Sequence, residues 1–283
     1  MYLNLCTVRY ARMWIMTPAK FRALVCRYYR AQGRHNLPWR PPTLKLRRDK
    51  TLDPYRVLVS EIMLQQTQVE RVIPFYKSFI KQFPTAKKLA AAPLSAVLKS
   101  WQGLGYNRRA KMLQQAAKKL ASRQMLTVNE LEALPGVGPY TARAVAAFAY
   151  NQDVVFVETN IRTAVIHHFF NKNTTIYGSV SDAQILEILK KVLPKGKARE
   201  WYSALMDYGA YLKRSGISHN ARSVKYAKQS EFVGSLREAR GAILREFTRG
   251  ITSRARLISL LGTSRRKQMK TALKALIKEG LIT

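Results

Sequence analysis

Cysteine is nearly absent from this 283-residue chain, which carries only Cys6 and Cys26. Two thiols cannot build the disulfide framework of a small secreted domain, nor an all-cysteine zinc or iron–sulfur site. Histidine is almost as sparse. Of His35, His167, His168 and His219, none stands at metal-ligand spacing from a cysteine. His167-His168, beside Phe169-Phe170, reads as an ordinary helix position, and no metal site is expected. No stretch of 18 apolar residues occurs, so no helix is expected to span a bilayer. Acid is the largest deficit: 16 Asp and Glu face 50 Lys and Arg, a formal net charge of +34. A charge of that size repels itself unless it meets a polyanion. Nucleic acid is the first candidate, because neutralising phosphates releases condensed counterions; a membrane surface is the weaker reading.

Apolar residues make up 47% of the chain, enough to build cores for roughly two domains. Residues 1–16 are apolar but broken by Arg9 and Arg12, too short to span a membrane and without a small-residue cleavage site. They read as an extension ahead of Met16, with a transit peptide as the alternative.

Helical patterns then follow one another closely. Residues 18–31 carry helical periodicity, and Asn36-Leu-Pro-Trp-Arg-Pro-Pro is a loop, since its prolines force extended backbone. The basic residues Lys45, Arg47, Arg48 and Lys50 follow, and Asp53-Pro54 starts a helix as cap and first turn. Further helices are expected at 70–82, 85–91, 94–101, 107–122, 127–133, 139–150, 158–170, 181–193 and 198–212. Val154–Val157 is the only strand candidate and is too short to found a sheet. Residues 216–231 are polar, basic and aperiodic, a linker. From 232 onward three amphipathic helices are expected, the last two ended by Gly262 and Gly280, as in a helix-turn-helix or winged-helix unit. Residues 222–283 hold 15 Lys or Arg against 4 Asp or Glu. In the last helix Met269, Leu273, Leu276 and Ile277 share an apolar face, with Arg265, Arg266, Lys270, Lys274 and Lys278 largely off it. A DNA-binding module is expected here, with a solvated basic tail as the alternative. The fold class is therefore all-α.

Three runs carry chemistry. In Leu134-Pro-Gly-Val-Gly-Pro-Tyr-Thr141 one helix ends, Gly136 and Gly138 turn the chain, and another begins. Bare backbone N–H groups at that helix start can cradle a phosphate without reading sequence. A purely structural glycine joint is the alternative. In Ser60-Glu-Ile-Met-Leu-Gln-Gln-Thr-Gln68, Glu61 sits among apolar and amide residues. Desolvation there would raise its pKa, as a general acid needs. In Val157-Glu-Thr-Asn-Ile-Arg162, Glu158 opens a helix whose N-terminus would steady its charge. One protonated and one ionised carboxyl suit cleavage of a glycosidic bond through an oxocarbenium-like state. The plainer readings are a helix-start residue for Glu158 and an arginine partner for Glu61.

Together these runs resemble the helix-hairpin-helix DNA glycosylases, and among them the MutY-type adenine glycosylases. The resemblance is carried by Leu37-Pro-Trp-Arg40, Asp53-Pro-Tyr-Arg56, Ser60–Val69, Val72-Ile-Pro-Phe-Tyr76, Phe83-Pro-Thr85, Gly103-Leu-Gly-Tyr106, Leu134–Thr141 and Ala204-Leu-Met-Asp-Tyr-Gly209, in the family's order. It covers about residues 17–212. It implies a two-lobed fold: one six-helix lobe over about 52–154, and a second lobe from 17–51 plus 155–215. It implies that Glu61 protonates the flipped base and that Glu158 stands for the family's aspartate, stabilising the cationic sugar. Tyr140, 18 residues before Glu158, holds the place where strand-cleaving relatives carry a Schiff-base lysine. A monofunctional enzyme without strong lyase activity is implied. Gln66 and Tyr106 match residues that wedge into the stack, with Gln65, Thr67, Arg108, Gly136 and Gly138 on the same DNA-binding surface. Leu37 and Trp39 match the wall of the base pocket. The substrate implied is double-stranded DNA with a mispaired or damaged base, flipped out because its reacting atom is unreachable inside a duplex.

The chain departs from the pattern in four ways. The cluster-binding cysteines that should follow Tyr211 are absent, so no iron–sulfur cofactor is expected. The family's aspartate is a glutamate. Ser203 and His35 stand at pocket positions that usually bear a glutamate or glutamine and an arginine. The basic helical module stands where the family has a Nudix-like domain. The expected activity is excision of adenine opposite 8-oxoguanine or guanine by a monomer in the cytoplasm or nucleoid. The alternatives are a mismatch glycosylase for thymine, uracil or hypoxanthine, or a DNA-binding protein without catalysis.

Overall fold

The computed structural model describes residues 16–42, 50–122, 125–170, 180–219 and 231–282. Cys6, the N-terminal extension, the basic residues Lys45, Arg47 and Arg48, and most of the expected linker lie outside the described residues. The helices are α1 (Pro18–Gln32), α2 (Pro54–Leu64), α3 (Val69–Gln82), α4 (Ala86–Ala91), α5 (Leu94–Trp101), α6 (Arg108–Leu120), α7 (Val128–Glu132), α8 (Pro139–Tyr150), α9 (Thr159–Phe169), α10 (Asp182–Val192), α11 (Ala198–Arg214), α12 (Leu236–Phe247), α13 (Arg254–Ser259) and α14 (Arg266–Lys278). No β-strand occurs among the described residues, and Val154–Val157 is irregular. None of these helices is long and apolar enough to cross a membrane. The chemistry of the helix starts is local. Thr17, Asp53, Thr85, Thr127, Ser181 and Ser235 each accept a hydrogen bond from a first-turn amide. Pro18, Pro54 and Pro139 occupy first turns, where no amide is needed.

The chain divides into two compact units. The first comprises the chain up to Gly33, Val157–Leu193 and Ser203–Val224; the second comprises Arg34–Phe156, Pro194–Tyr202 and Lys225–Thr283. In the first unit, α1, α9, α10 and most of α11 close over Phe21, Val25, Ile161, Val165, Ile185 and Leu205. Gly209 lies so close to the Asn160 carbonyl of α9 that an added Cβ would sit 2.1 Å from it. His168 stacks on Tyr208, and its Nε2 lies 2.7 Å from the tyrosine hydroxyl. Burial, aided by the neighbouring His167, lowers its pKa to about 4, so the ring is neutral in a packed position. His167 stacks on His219.

The second unit packs α2–α8 around one core that includes Trp101, Leu58, Met63, Phe79 and Val145. The same core takes in Leu37 and Trp39 at one end of the sequence and Ile243, Leu257, Met269 and Leu276 at the other. The boundaries thus differ from those expected. Residues 34–42 group with the six-helix lobe because Leu37 and Trp39 are buried in its core. The C-terminal helices do form a three-helix bundle, with Met269, Leu273 and Leu276 buried, but they do not stand apart. Lys111 Nζ donates to the Glu279 carbonyl at 2.6 Å, and Gln102 hydrogen-bonds Thr248. Deleting the bundle would therefore uncover the lobe.

Candidate active site

Glu61 lies on α2, which the Asp53-Pro54 cap starts and whose apolar face packs on α8. The side chain is only 7% exposed. The Tyr140 hydroxyl donates to Glu61 Oε2 at 3.1 Å. Tyr140 is the second residue of α8, just past the Gly138 cap, and its ring meets Phe156 edge-on at 5.6 Å. The hairpin that presents it is built firmly. Thr127 and Glu130 form a reciprocal cap on α7. Gly136 has φ +77 and faces Met112, where a Cβ would approach to 2.8 Å. Any side chain there is both strained and crowded. Gly138 starts α8 with no side-chain cap, leaving first-turn amides without an intrahelical partner.

Two turns flank the Glu61 helix end. Gln65, the residue after α2, donates from Nε2 to Thr141 Oγ1 at 3.4 Å. Gln66 is exposed, with φ +54; Tyr106 is 38% exposed, with φ +47. Left-handed backbone at non-glycine residues costs free energy and persists only where the surroundings hold it. Arg109 is the holder. Its Nη1 donates to the carbonyls of Ile62 (2.8 Å), Met63 (3.2 Å) and Gln65 (2.5 Å). Its Nη2 donates to Thr67 Oγ1 (3.4 Å), Leu104 O (3.3 Å) and Gly105 O (3.2 Å). The guanidinium also lies 5.5 Å from the ring centroids of Trp101 and Tyr106. Burial lowers its pKa to about 10, which still leaves it charged at neutral pH. Neighbouring Arg108, by contrast, is exposed. Sequence reasoning named Arg108 and passed over Arg109; its only signal was a second basic residue in the first turn of a helix.

Leu37 and Trp39 are nearly buried, and the Trp39 ring meets Tyr76 edge-on at 5.3 Å. In this structure they form packed wall rather than open pocket. His35 is half-buried in the same unit. In the first unit, Glu158 caps α9. Its Oε1 accepts from the Asn160 amide at 2.7 Å and the Ile161 amide at 3.0 Å, and its Oε2 accepts from Thr159 Oγ1 at 3.1 Å. Lys213, half-buried in the same unit, has its pKa lowered by burial while the Glu158 charge works against that shift. Ser203 is buried there too.

At the C-terminus Arg266 and Lys270 are exposed, as the basic stripe requires. Arg265 is not part of that stripe. It donates to Glu238 Oε2 at 2.7 Å, to Gln268 and to the Ser235 carbonyl, tying α14 to α12. The expectation of an outward Arg265 is corrected: a carboxylate from the neighbouring helix neutralises it.

Four thiolates are needed for the cluster of the resembled family, and the donor set does not fit one. The residues after α11 are Ser215-Gly-Ile-Ser-His219, and the chain has two cysteines in all. Purified protein is expected to be colourless, with elemental analysis finding no iron in stoichiometric amount. One cluster's worth of iron per chain would refute this.

Known proteins match this arrangement. Residues 59–195 match the model of the HhH-GPD superfamily base excision DNA repair proteins. An adenine DNA glycosylase of Mycolicibacterium smegmatis is 35% identical over 276 residues, with 88% of each chain covered. One from Mycobacterium tuberculosis H37Rv is 38% identical over 185 residues, 63% of this chain and 57% of its own. One from Buchnera aphidicola is 32% identical over 201 residues, 70% of this chain and 54% of its own. The chain thus spans most of one relative and little more than half of the others. Among solved structures, a thermostable thymine-DNA glycosylase is 24% identical with a TM-score of 0.56, covering 68% of this chain and 86% of that one. Endonuclease III in a non-covalent DNA complex is 18% identical with a TM-score of 0.55, covering 73% of this chain and 92% of that one. The last two are likenesses of fold.

Proposed function

Because the chain belongs to the HhH-GPD superfamily of base excision DNA repair proteins, we propose that it is a monofunctional adenine DNA glycosylase acting on mispaired adenine in duplex DNA. The observation that carries the mechanism is the buried Glu61 carboxyl hydrogen-bonded by Tyr140 at the mouth of the helical hairpin. Glu61 donates a proton to the extruded base, which makes that base a leaving group. As the glycosidic bond lengthens, positive charge grows on the sugar. Glu158, the cap of α9, is the carboxylate assigned to offset it. Water completes the hydrolysis and the strand stays intact. Gln66 and Tyr106, exposed on their two left-handed turns, occupy the vacated step, while the bare amides at the start of α8 take a backbone phosphate. The partner base is guanine or its 8-oxo form. The enzyme acts as a monomer wherever the DNA is, in the cytoplasm or nucleoid.

The second reading, a mismatch glycosylase of other base choice, is favoured by Ser203 and His35 at the pocket positions. One experiment separates them: duplexes carrying each candidate mispair are incubated with the protein and then cleaved with alkali. Strand breaks at adenine are expected, and none without alkali. Borohydride should trap no covalent complex, since a tyrosine at 140 cannot form an imine. Breaks only at thymine, uracil or hypoxanthine would replace adenine as the substrate; breaks nowhere would remove the enzymatic reading.

A further inference from the structure

In the second unit, two aromatic side chains far apart in sequence share one cation. The guanidinium carbon of Arg237, in the first turn of α12, lies 5.8 Å from the ring centroid of Tyr106 and 5.9 Å from that of Phe232. Its Nη1 is 3.4 Å from the Tyr106 hydroxyl, and its Nη2 donates to the Glu231 carbonyl at 3.3 Å. Around it stand large apolar side chains left in water: Phe232 is 57% exposed, Val233 81% and Leu236 40%. The tip is nevertheless built. The Gly234 amide donates to Glu238 Oε2 at 2.8 Å, and Ser235 Oγ donates to the Phe232 carbonyl at 2.6 Å. Gln268 Nε2 donates to the Gly234 carbonyl at 2.7 Å. A contiguous exposed apolar tip fixed this firmly marks an interaction site.

Its chemistry selects the partner. Aromatic faces interleaved with arginine take nucleic acid: the ring lies against an unstacked base and the guanidinium meets phosphate. The tip belongs to a stretch, residues 222–283, with 15 Lys or Arg against 4 Asp or Glu, and it is continuous with Tyr106, which is assigned to the opened step of the duplex. We propose that the Phe232–Arg237 tip is a second DNA-contacting element, engaging the disrupted duplex beside Tyr106. Phe232 lies against the bases or sugars exposed there, and Arg237 beside it meets a neighbouring phosphate. The inference rests on the glycosylase reading, since it is that reading which puts Tyr106 at a displaced base.

The test uses the full chain carrying Glu61→Gln, so that the duplex is not consumed. Binding of a fluorescent duplex with one adenine·guanine mispair, and of its fully paired counterpart, is measured across a salt series. Phe232→Ala should weaken the mispaired complex about tenfold, with the salt slope unchanged, and weaken the paired one less. Arg237→Ala should lower the log–log salt slope by about 0.9, and Arg237→Lys should restore the slope. Phe232 is exposed, so its removal leaves the fold intact. If Phe232→Ala and Arg237→Ala both bind both duplexes as the parent does at every salt concentration, the tip does not contact DNA and a protein partner takes its place. Adenine release by the chain with Glu61 intact is scored separately. Its failure sinks the glycosylase reading, whereas parental binding by the tip variants sinks the tip alone.

Discussion

Replacing Glu61 by glutamine should cut the single-turnover rate of adenine release by about 10²–10⁴-fold while leaving duplex affinity nearly unchanged. Glutamine has the shape of the carboxyl it replaces, and its amide oxygen can still accept from the Tyr140 hydroxyl that now meets Glu61 Oε2 at 3.1 Å. The α2–α8 contact therefore survives, and the melting temperature should barely move. What is lost is the proton. A neutral adenine leaving as its anion is a far poorer leaving group than the protonated base, and among the described residues of this unit no other carboxyl is buried. Single-turnover kinetics by alkaline cleavage, paired with equilibrium binding, separate the two effects. A Glu61→Gln protein with the parent's rate would remove Glu61 from the mechanism. One that lost affinity and rate together would show the carboxyl to be a structural or DNA-positioning group.

Much of this site could be read in the sequence because its signals are local. Asp53-Pro54 starts the helix that carries Glu61, and Gly138-Pro139 starts the one that carries Tyr140; each signal lies within a few residues of the group it positions. Glu158 was legible as a helix-opening residue for the same reason, and it is the cap of α9. What could not be read is pairing across long separations. Tyr106 and Arg237 meet over 131 positions, and Lys111 meets the Glu279 carbonyl over 168. No periodicity announces either, so the C-terminal helices read as a separate module although they share a core with the lobe. Arg265 read as outward because helical spacing places it off the apolar face. That spacing carries no information about Glu238 on the neighbouring helix.

Arg109 shows the same limit, and its removal should have the second large effect. Arg109→Met should destabilise the protein by about 2–4 kcal/mol, because carbonyls from two turns lose a buried charged donor at once. The substitution keeps the length and apolar stem of the side chain, so little packing is lost. The loss is directed at function, since the carbonyls it abandons belong to the residues just after Glu61 and just before Tyr106. With the guanidinium gone, six hydrogen bonds that support the left-handed conformations at Gln66 and Tyr106 are lost. Well below the melting temperature, the variant should therefore bind a mispaired duplex with less preference over a paired one and release adenine more slowly. Arg109→Lys restores the charge but offers a compact ammonium in place of a planar fork that reaches six acceptors, so recovery should be partial in both stability and mispair preference. Thermal unfolding and the ratio of the two affinities are the readouts. A methionine variant that melts lower yet keeps the parent's mispair preference would make Arg109 a structural residue only. One that matches the parent in both would show that the two turns hold themselves.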